Sequence, residues 1–71
     1  MEYVGFEALP LGWWNDFEED SGLQTRQACP GVLICEDETG GRSVEFAAVT
    51  NNGVLRPVRK MSGYVKTVFI P

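Results

Sequence analysis

Histidine is absent from this 71-residue chain. That removes the commonest general base, the Ser/His and Cys/His nucleophile pairs, and imidazole ligation of metals. Cysteine is scarce, with only Cys29 and Cys35. In an extended chain they would lie about 20 Å apart, whereas a disulfide needs Cα atoms about 5.5 Å apart. Only a sharp bend at Pro30-Gly31 would join them, so both are read as reduced thiols that behave as small apolar residues. Two cysteines without histidine also fall short of the four N/S ligands of a structural zinc site. No apolar run approaches the roughly 20 residues that span a bilayer. Met1-Glu2-Tyr3-Val4 lacks the basic start and long apolar stretch of a secretion signal, so a cytoplasmic protein is expected.

Two further motifs fail on inspection. Gly40-Gly41-Arg42-Ser43 has neither the lysine nor the following helix of a phosphate-cradling loop. Asp16, Glu18 and Asp20 share the spacing of the first three calcium ligands of an EF-hand, but Ser21 stands where that loop needs glycine and Gln27 where it needs glutamate. The expectation is a protein without catalytic residues, metal or cofactor.

What is present reads as strands. Hydrophobic residues make up 44% of the chain, enough for a small core and too many for disorder. No window carries apolar residues at i, i+3, i+4 and i+7, and eight glycines and four prolines punctuate the chain. Tyr3 to Ala8 forms a first strand, with Val4, Phe6 and Ala8 on one face. Residues 12–17 and 23–28 suit two strands about a turn at Asp20-Ser21-Gly22. The rival there is a short helical turn near 15–21, capped by Asn15 and Glu18 and stopped at Gly22. Residues 31–36 and 43–50 form an antiparallel pair across the polar turn 37–41. Alternation places Val32, Ile34, Val44, Phe46 and Ala48 on one face and Leu33, Cys35, Ala47 and Val49 on the other. Asn52-Gly53 favours a tight hairpin, since both residues tolerate positive φ. A short strand at 54–56 runs into Pro57, and 64–70 closes the chain.

The fold class is therefore all-β: one domain over residues 1–71, an antiparallel half-open barrel or bent sheet of five or six strands. The succession of a strand, a long acidic loop, a three-stranded meander and a terminal strand resembles SH3-like barrels in strand spacing. None of that family's binding-groove motifs is present, and none of its residues carries over.

Charge is unevenly placed. Residues 1–38 hold nine acids against Arg26, a net −8; residues 39–71 hold five bases against Glu45, a net +4. An acidic half of this kind steers basic partners. The leading reading is a protein-binding module or inhibitor-type accessory protein, compatible at class level with phage or mobile-element inhibitors. Its candidate surface is Trp13, Trp14, Asp16, Phe17, Glu18, Glu19 and Asp20, because one of two adjacent tryptophans on a strand must leave the core and tryptophan is enriched at interface hot spots. The face of Leu33, Cys35, Ala47 and Val49 is a candidate homodimer surface. The alternative is a nucleic-acid or ligand binder using Arg56, Arg59, Lys60, Lys66 and Tyr64, which combine bases with an aromatic ring. The nine acids of residues 1–38 oppose phosphate contacts.

Overall fold

Two stretches, 2–18 and 24–36, run antiparallel as a long ribbon, paired from Glu2 with Glu36 through Ala8 with Gly31, then from Trp14 with Ala28 to Glu18 with Gln24. This computed structural model describes residues 2–71. Its strands are β1 (Glu2–Ala8), β2 (Trp13–Glu18), β3 (Gln24–Ala28), β4 (Gly31–Glu36), β5 (Arg42–Val49), β6 (Leu55–Pro57) and β7 (Tyr64–Phe69), with a 3-10 turn at Val58–Lys60. They form two antiparallel sheets, ordered β1-β4-β5-β6 and β3-β2-β7, one of them curled into a half-barrel. The small half-open all-β barrel read from the sequence is thus the fold.

The ribbon passes from one sheet to the other at a corner built by residues that resist a ladder. Pro10 and Pro30 have no N–H to donate. Around them the Cys29 N–H donates to the Trp13 carbonyl at 2.9 Å and the Leu9 N–H to the Pro30 carbonyl at 3.2 Å. Gly31 is required by close approach, since a Cβ there would lie 2.2 Å from the Glu7 carbonyl oxygen.

Three hairpins use one turn. At 19–23, 37–41 and 50–54 the first residue's N–H donates to the fifth residue's carbonyl, and the fourth residue's N–H donates back to the first residue's carbonyl. The fourth residue is Gly22, Gly40 or Gly53, each at positive φ. This is the three-residue loop with a left-handed residue at its end. The Asn52-Gly53 reading is corrected in one respect. Only Gly53 takes positive φ, so the loop holds three residues rather than two.

Other differences are local. Among the described residues there are seven strands where five or six were expected: 13–28 forms two strands, β2 and β3, and the expected short strand before Pro57 forms as β6, paired with β5. The helical alternative at 15–21 is not formed; Asn15 lies in mid-strand. The short helical turn falls instead at Val58–Lys60, after Pro57 at φ −59°, where a fixed φ suits its start. In β1 the register shifts between Tyr3 and Gly5, so Val4 is an extra residue and the expected alternation of Val4, Phe6 and Ala8 is broken there. Both cysteines are free and buried.

The sheets meet through β2 and β5. Phe17, Ala48 and Val58 form the buried cluster, with Phe46, Met61 and Tyr64 packed on it. Trp13 stacks between Phe46 and Phe69, with ring centroids at 5.6 and 5.2 Å. Between Trp13 and Phe17 sits Asn15, fully buried. Its Nδ2 donates to the Ala47 carbonyl at 3.0 Å, and its Oδ1 accepts the Thr67 hydroxyl at 2.7 Å. The Thr67 oxygen in turn accepts the Tyr64 hydroxyl at 2.8 Å, its own proton being committed to Asn15. Among the described residues no buried side-chain polar atom lacks a partner.

Removing that amide leaves the Ala47 carbonyl with only the Cys29 thiol at 3.4 Å and the Thr67 hydroxyl with only Tyr64. Asn15→Ala is expected to lower stability by about 2 kcal/mol, read as a drop in the urea midpoint. An unchanged midpoint would show that water replaces the amide without cost.

Candidate protein-binding site

Strand alternation divides β2 between two surfaces. Trp13, Asn15 and Phe17 point toward β5, while Trp14 and Asp16 take the outer face. Across that outer face the register sets Ala28, Trp14 and Val68 in one row and Arg26, Asp16 and Lys66 in the next. Arg26 grips Asp16 with two hydrogen bonds, Nε to Oδ1 at 2.6 Å and Nη2 to Oδ2 at 3.0 Å. These bonds hold the Asp16 carboxyl below its ordinary value, and Lys66 adds to the effect. Asp16 is therefore already occupied. Trp14 lines an apolar groove of about 500 Å³ at the ribbon corner, with Leu9, Pro10, Leu11 and Pro30 among its walls.

A second groove lies on the other side of the sheet. It has a volume of about 430 Å³ and is bounded by Phe17, Thr25 and Gln27 from the β2–β3 hairpin, by Glu18, Glu19 and Asp20 at the hairpin tip, and by Asn51 and Met61 through Gly63. Phe17 is 8% exposed and belongs to the core, so it serves as floor rather than rim. The three acids are exposed. The Glu18 N–H donates to the Gly63 carbonyl at 2.8 Å, which ties the two walls together at one end.

The surface expected from sequence thus separates. Phe17, Glu18, Glu19 and Asp20 come together on the acidic groove. Trp13 is inside the aromatic stack, Trp14 opens onto the opposite groove, and Asp16 is held by Arg26. Thr25 and Gln27 were missed, although alternation opposite Phe17 and Asn15 marks them as groove-facing. Asn51 and Met61 carry no local signal; the fold brings them from 30 or more residues away.

The anticipated dimer face is corrected. Leu33, Cys35 and Ala47 are buried within the chain, and of the four only Val49 is exposed. The chain fills this face itself. Glu45 accepts hydrogen bonds from the Tyr3 hydroxyl at 3.0 Å, the Cys35 thiol at 3.4 Å and the Arg59 guanidinium. Arg59 holds the Glu45 carboxyl below its ordinary value. Burial, then Glu45, pushes the Cys35 thiol and the Tyr3 hydroxyl up.

The basic candidates are similarly engaged. Arg59 is bonded to Glu45, and the Lys60 ammonium stands 6.0 Å from the centre of the Tyr3 ring. Lys66 pairs across from Asp16. The Tyr64 ring packs edge-on against Phe17 with its hydroxyl on Thr67, which removes it as a platform for a base. Arg56 is exposed on β6.

Two outcomes follow. Glu45, Asp16 and Asp37 all have lowered folded-state values, Asp37 through hydrogen bonds from the Thr39 hydroxyl and the Gly41 and Thr39 backbone. A lowered carboxyl value stabilises the fold above its unfolded value and ceases to do so as pH falls through the folded one. Stability is expected to be complete above the ordinary values of 4.5 for Glu45 and 3.8 for the aspartates and to decline below them. Glu45→Gln flattens part of that acid limb in urea titrations run from pH 6 to pH 2. Second, Trp13→Ala is expected to cost about 3–5 kcal/mol and unfold the chain, whereas Trp14→Ala retains the near-ultraviolet dichroism of a packed core. Equal losses from both would mean that Trp14 is equally structural.

Comparison of the sequence with protein-family models and with curated proteins, and of the fold with solved structures, gives no significant match.

Proposed function

We propose that this chain is a non-catalytic protein-binding module whose acidic groove receives a lysine or arginine side chain of a partner protein. The observation that carries the reading is the convergence of Glu18, Glu19 and Asp20 on a groove floored by Phe17 and Met61. A long basic side chain lays its methylene stem along apolar surface and keeps its charge at a polar rim. Thr25, Gln27 and Asn51 supply hydroxyl and amide groups for a partner's backbone. The net −8 of residues 1–38 favours approach of a basic surface over longer range. Trp14 lies outside this contact.

The test compares immobilised wild-type chain with Glu18→Lys/Glu19→Lys/Asp20→Lys and with Trp14→Ala, incubated with lysate at 50 and 500 mM salt. A partner retained by the wild type is expected to be lost from the triple variant by at least tenfold, to be weakened by salt, and to be kept by Trp14→Ala. Nuclear magnetic resonance of the labelled chain with a short arginine-rich peptide should move the signals of Thr25, Gln27, Asn51 and Gly63. Equal retention by the triple variant, or peptide shifts confined to the Trp14 side, would overturn the assignment.

A further inference from the structure

We infer that the acidic groove is an unfilled seam of the barrel, in which the partner's basic segment lies extended and pairs antiparallel with the open edge of β3. This rests on the basic-partner reading of the groove and adds how the partner's main chain is held. The stretch 24–36 has 2–18 along one side throughout. Along its other side β5 pairs only from Val32 with Phe46 to Glu36 with Arg42. Past the corner at 29–31, among the described residues, that side carries no strand. There β3 and the end of β5 part, and the groove lies between them, with Thr25 and Gln27 on one wall and Asn51 on the other.

Backbone groups on both banks point into this seam. The Cys29 N–H donates to the Trp13 carbonyl at 2.9 Å and the Glu19 N–H to the Leu23 carbonyl at 2.8 Å. Bonded residues alternate along an antiparallel pair, so Thr25 and Gln27 address β2. Gln24, Arg26 and Ala28 then turn their N–H and carbonyl groups to the seam. On β5 the Thr50 N–H donates to the Val54 carbonyl at 2.8 Å. Thr50 and Ala48 therefore address β6, and Ala47 and Val49 face the seam. At Ala47 side chains stand in for the missing strand: its carbonyl accepts Asn15 Nδ2 at 3.0 Å and the Cys29 thiol at 3.4 Å.

Charge selects both the edge and its occupant. The edge strands β6 and β7 carry Arg56 and Lys66 and no acid, which opposes a basic segment. Along β1 the register breaks at Val4. The β3 edge borders the groove that holds Glu18, Glu19 and Asp20 at one end. A second copy of this chain suits those acids poorly, since each of its strands has at most one base and its net charge is −4. In an added strand, the residues opposite Thr25 and Gln27 share their inward face, toward Phe17 and the acids. The residue between them lies opposite Arg26 and exchanges main-chain bonds with it. Basic side chains and β3-bonding N–H groups thus come from alternate residues of the partner.

That alternation makes a test in which the protein itself is unaltered. The probe is a short peptide alternating arginine and valine, titrated into the labelled full chain by nuclear magnetic resonance. With the arginines facing the groove, the valines supply the N–H groups that β3 accepts. N-methylation of the valines removes those donors, keeps every charge, and is expected to weaken binding about tenfold. N-methylation of the arginines, whose N–H groups point away from β3, weakens it less. Amide exchange at Arg26 should slow when the unmethylated peptide binds. Equal affinity of all three peptides, abolished by Glu18→Lys/Glu19→Lys/Asp20→Lys, would overturn the added strand and leave the side-chain groove standing. No binding of the unmethylated peptide at millimolar concentration would overturn both. Slowed exchange at Arg26 that follows chain concentration without peptide would make a second copy the occupant and overturn the basic segment.

Discussion

The amide of Asn15 is the contact on which the two sheets depend. Among the described residues it is the only buried polar side chain, and it reaches in both directions: to the Ala47 carbonyl in one sheet and, through Thr67, to Tyr64 in its own. The aromatic packing around it is non-directional and would tolerate sliding. A hydrogen-bonded amide does not, because a displaced β2 would strip the buried Asn15 amide of both its partners. The Cys29 thiol completes the arrangement at 3.4 Å from the same Ala47 oxygen. The position of Trp13, the floor made by Phe17, and hence the acidic groove are all fixed relative to β5 by this one residue.

The strands were legible because their signals are local. Alternation over 31–36 and 42–49 sets both faces of β4 and β5. Three polar triplets ending in glycine or leading to it mark the three hairpins, since a left-handed turn end disfavours residues with a Cβ. Asn15 shows where such reading stops. The rival helical reading makes it a cap, a role set by its neighbours at Glu18 and Gly22, and the strand reading gives it no role at all. Its role in the fold is set by Ala47 and Thr67, 32 and 52 residues away. Glu45 is similar. Its sequence context, one acid among bases, carries no sign that it gathers Tyr3, Cys35 and Arg59 from three separate elements. The split of the tryptophan–acid surface has the same origin. Alternation separates Trp13 from Trp14, but which of them faces inward depends on what lies across the barrel.

Charge follows the fold more closely than it follows the halves of the sequence. Arg26, Arg42 and Arg59 each meet a carboxylate, of Asp16, Glu36 and Glu45. These exposed or half-exposed pairs contribute little to stability individually. Their effect is to remove three bases and three acids from the free surface. Glu18, Glu19 and Asp20 stay outside these pairs, as do Glu2, Glu7, Asp37 and Glu38, and the three at the β2–β3 tip are consecutive in the chain.

β2 acquires its two neighbours on unequal terms. β3 follows it across a turn of a few residues, whereas β7 returns after some fifty. Closing the longer loop adds only about 2 kcal/mol of entropic cost, but contacts of such sequence separation form slowly. On a chain made from its N-terminus, the ribbon of residues 2–36 is complete well before Tyr64 to Ile70 exist. Until then Trp13, Asn15 and Phe17 have no cover on the side that β7 will occupy. The barrel therefore closes only once β7 is available, and the interval before closure is when this chain is most exposed to misassembly.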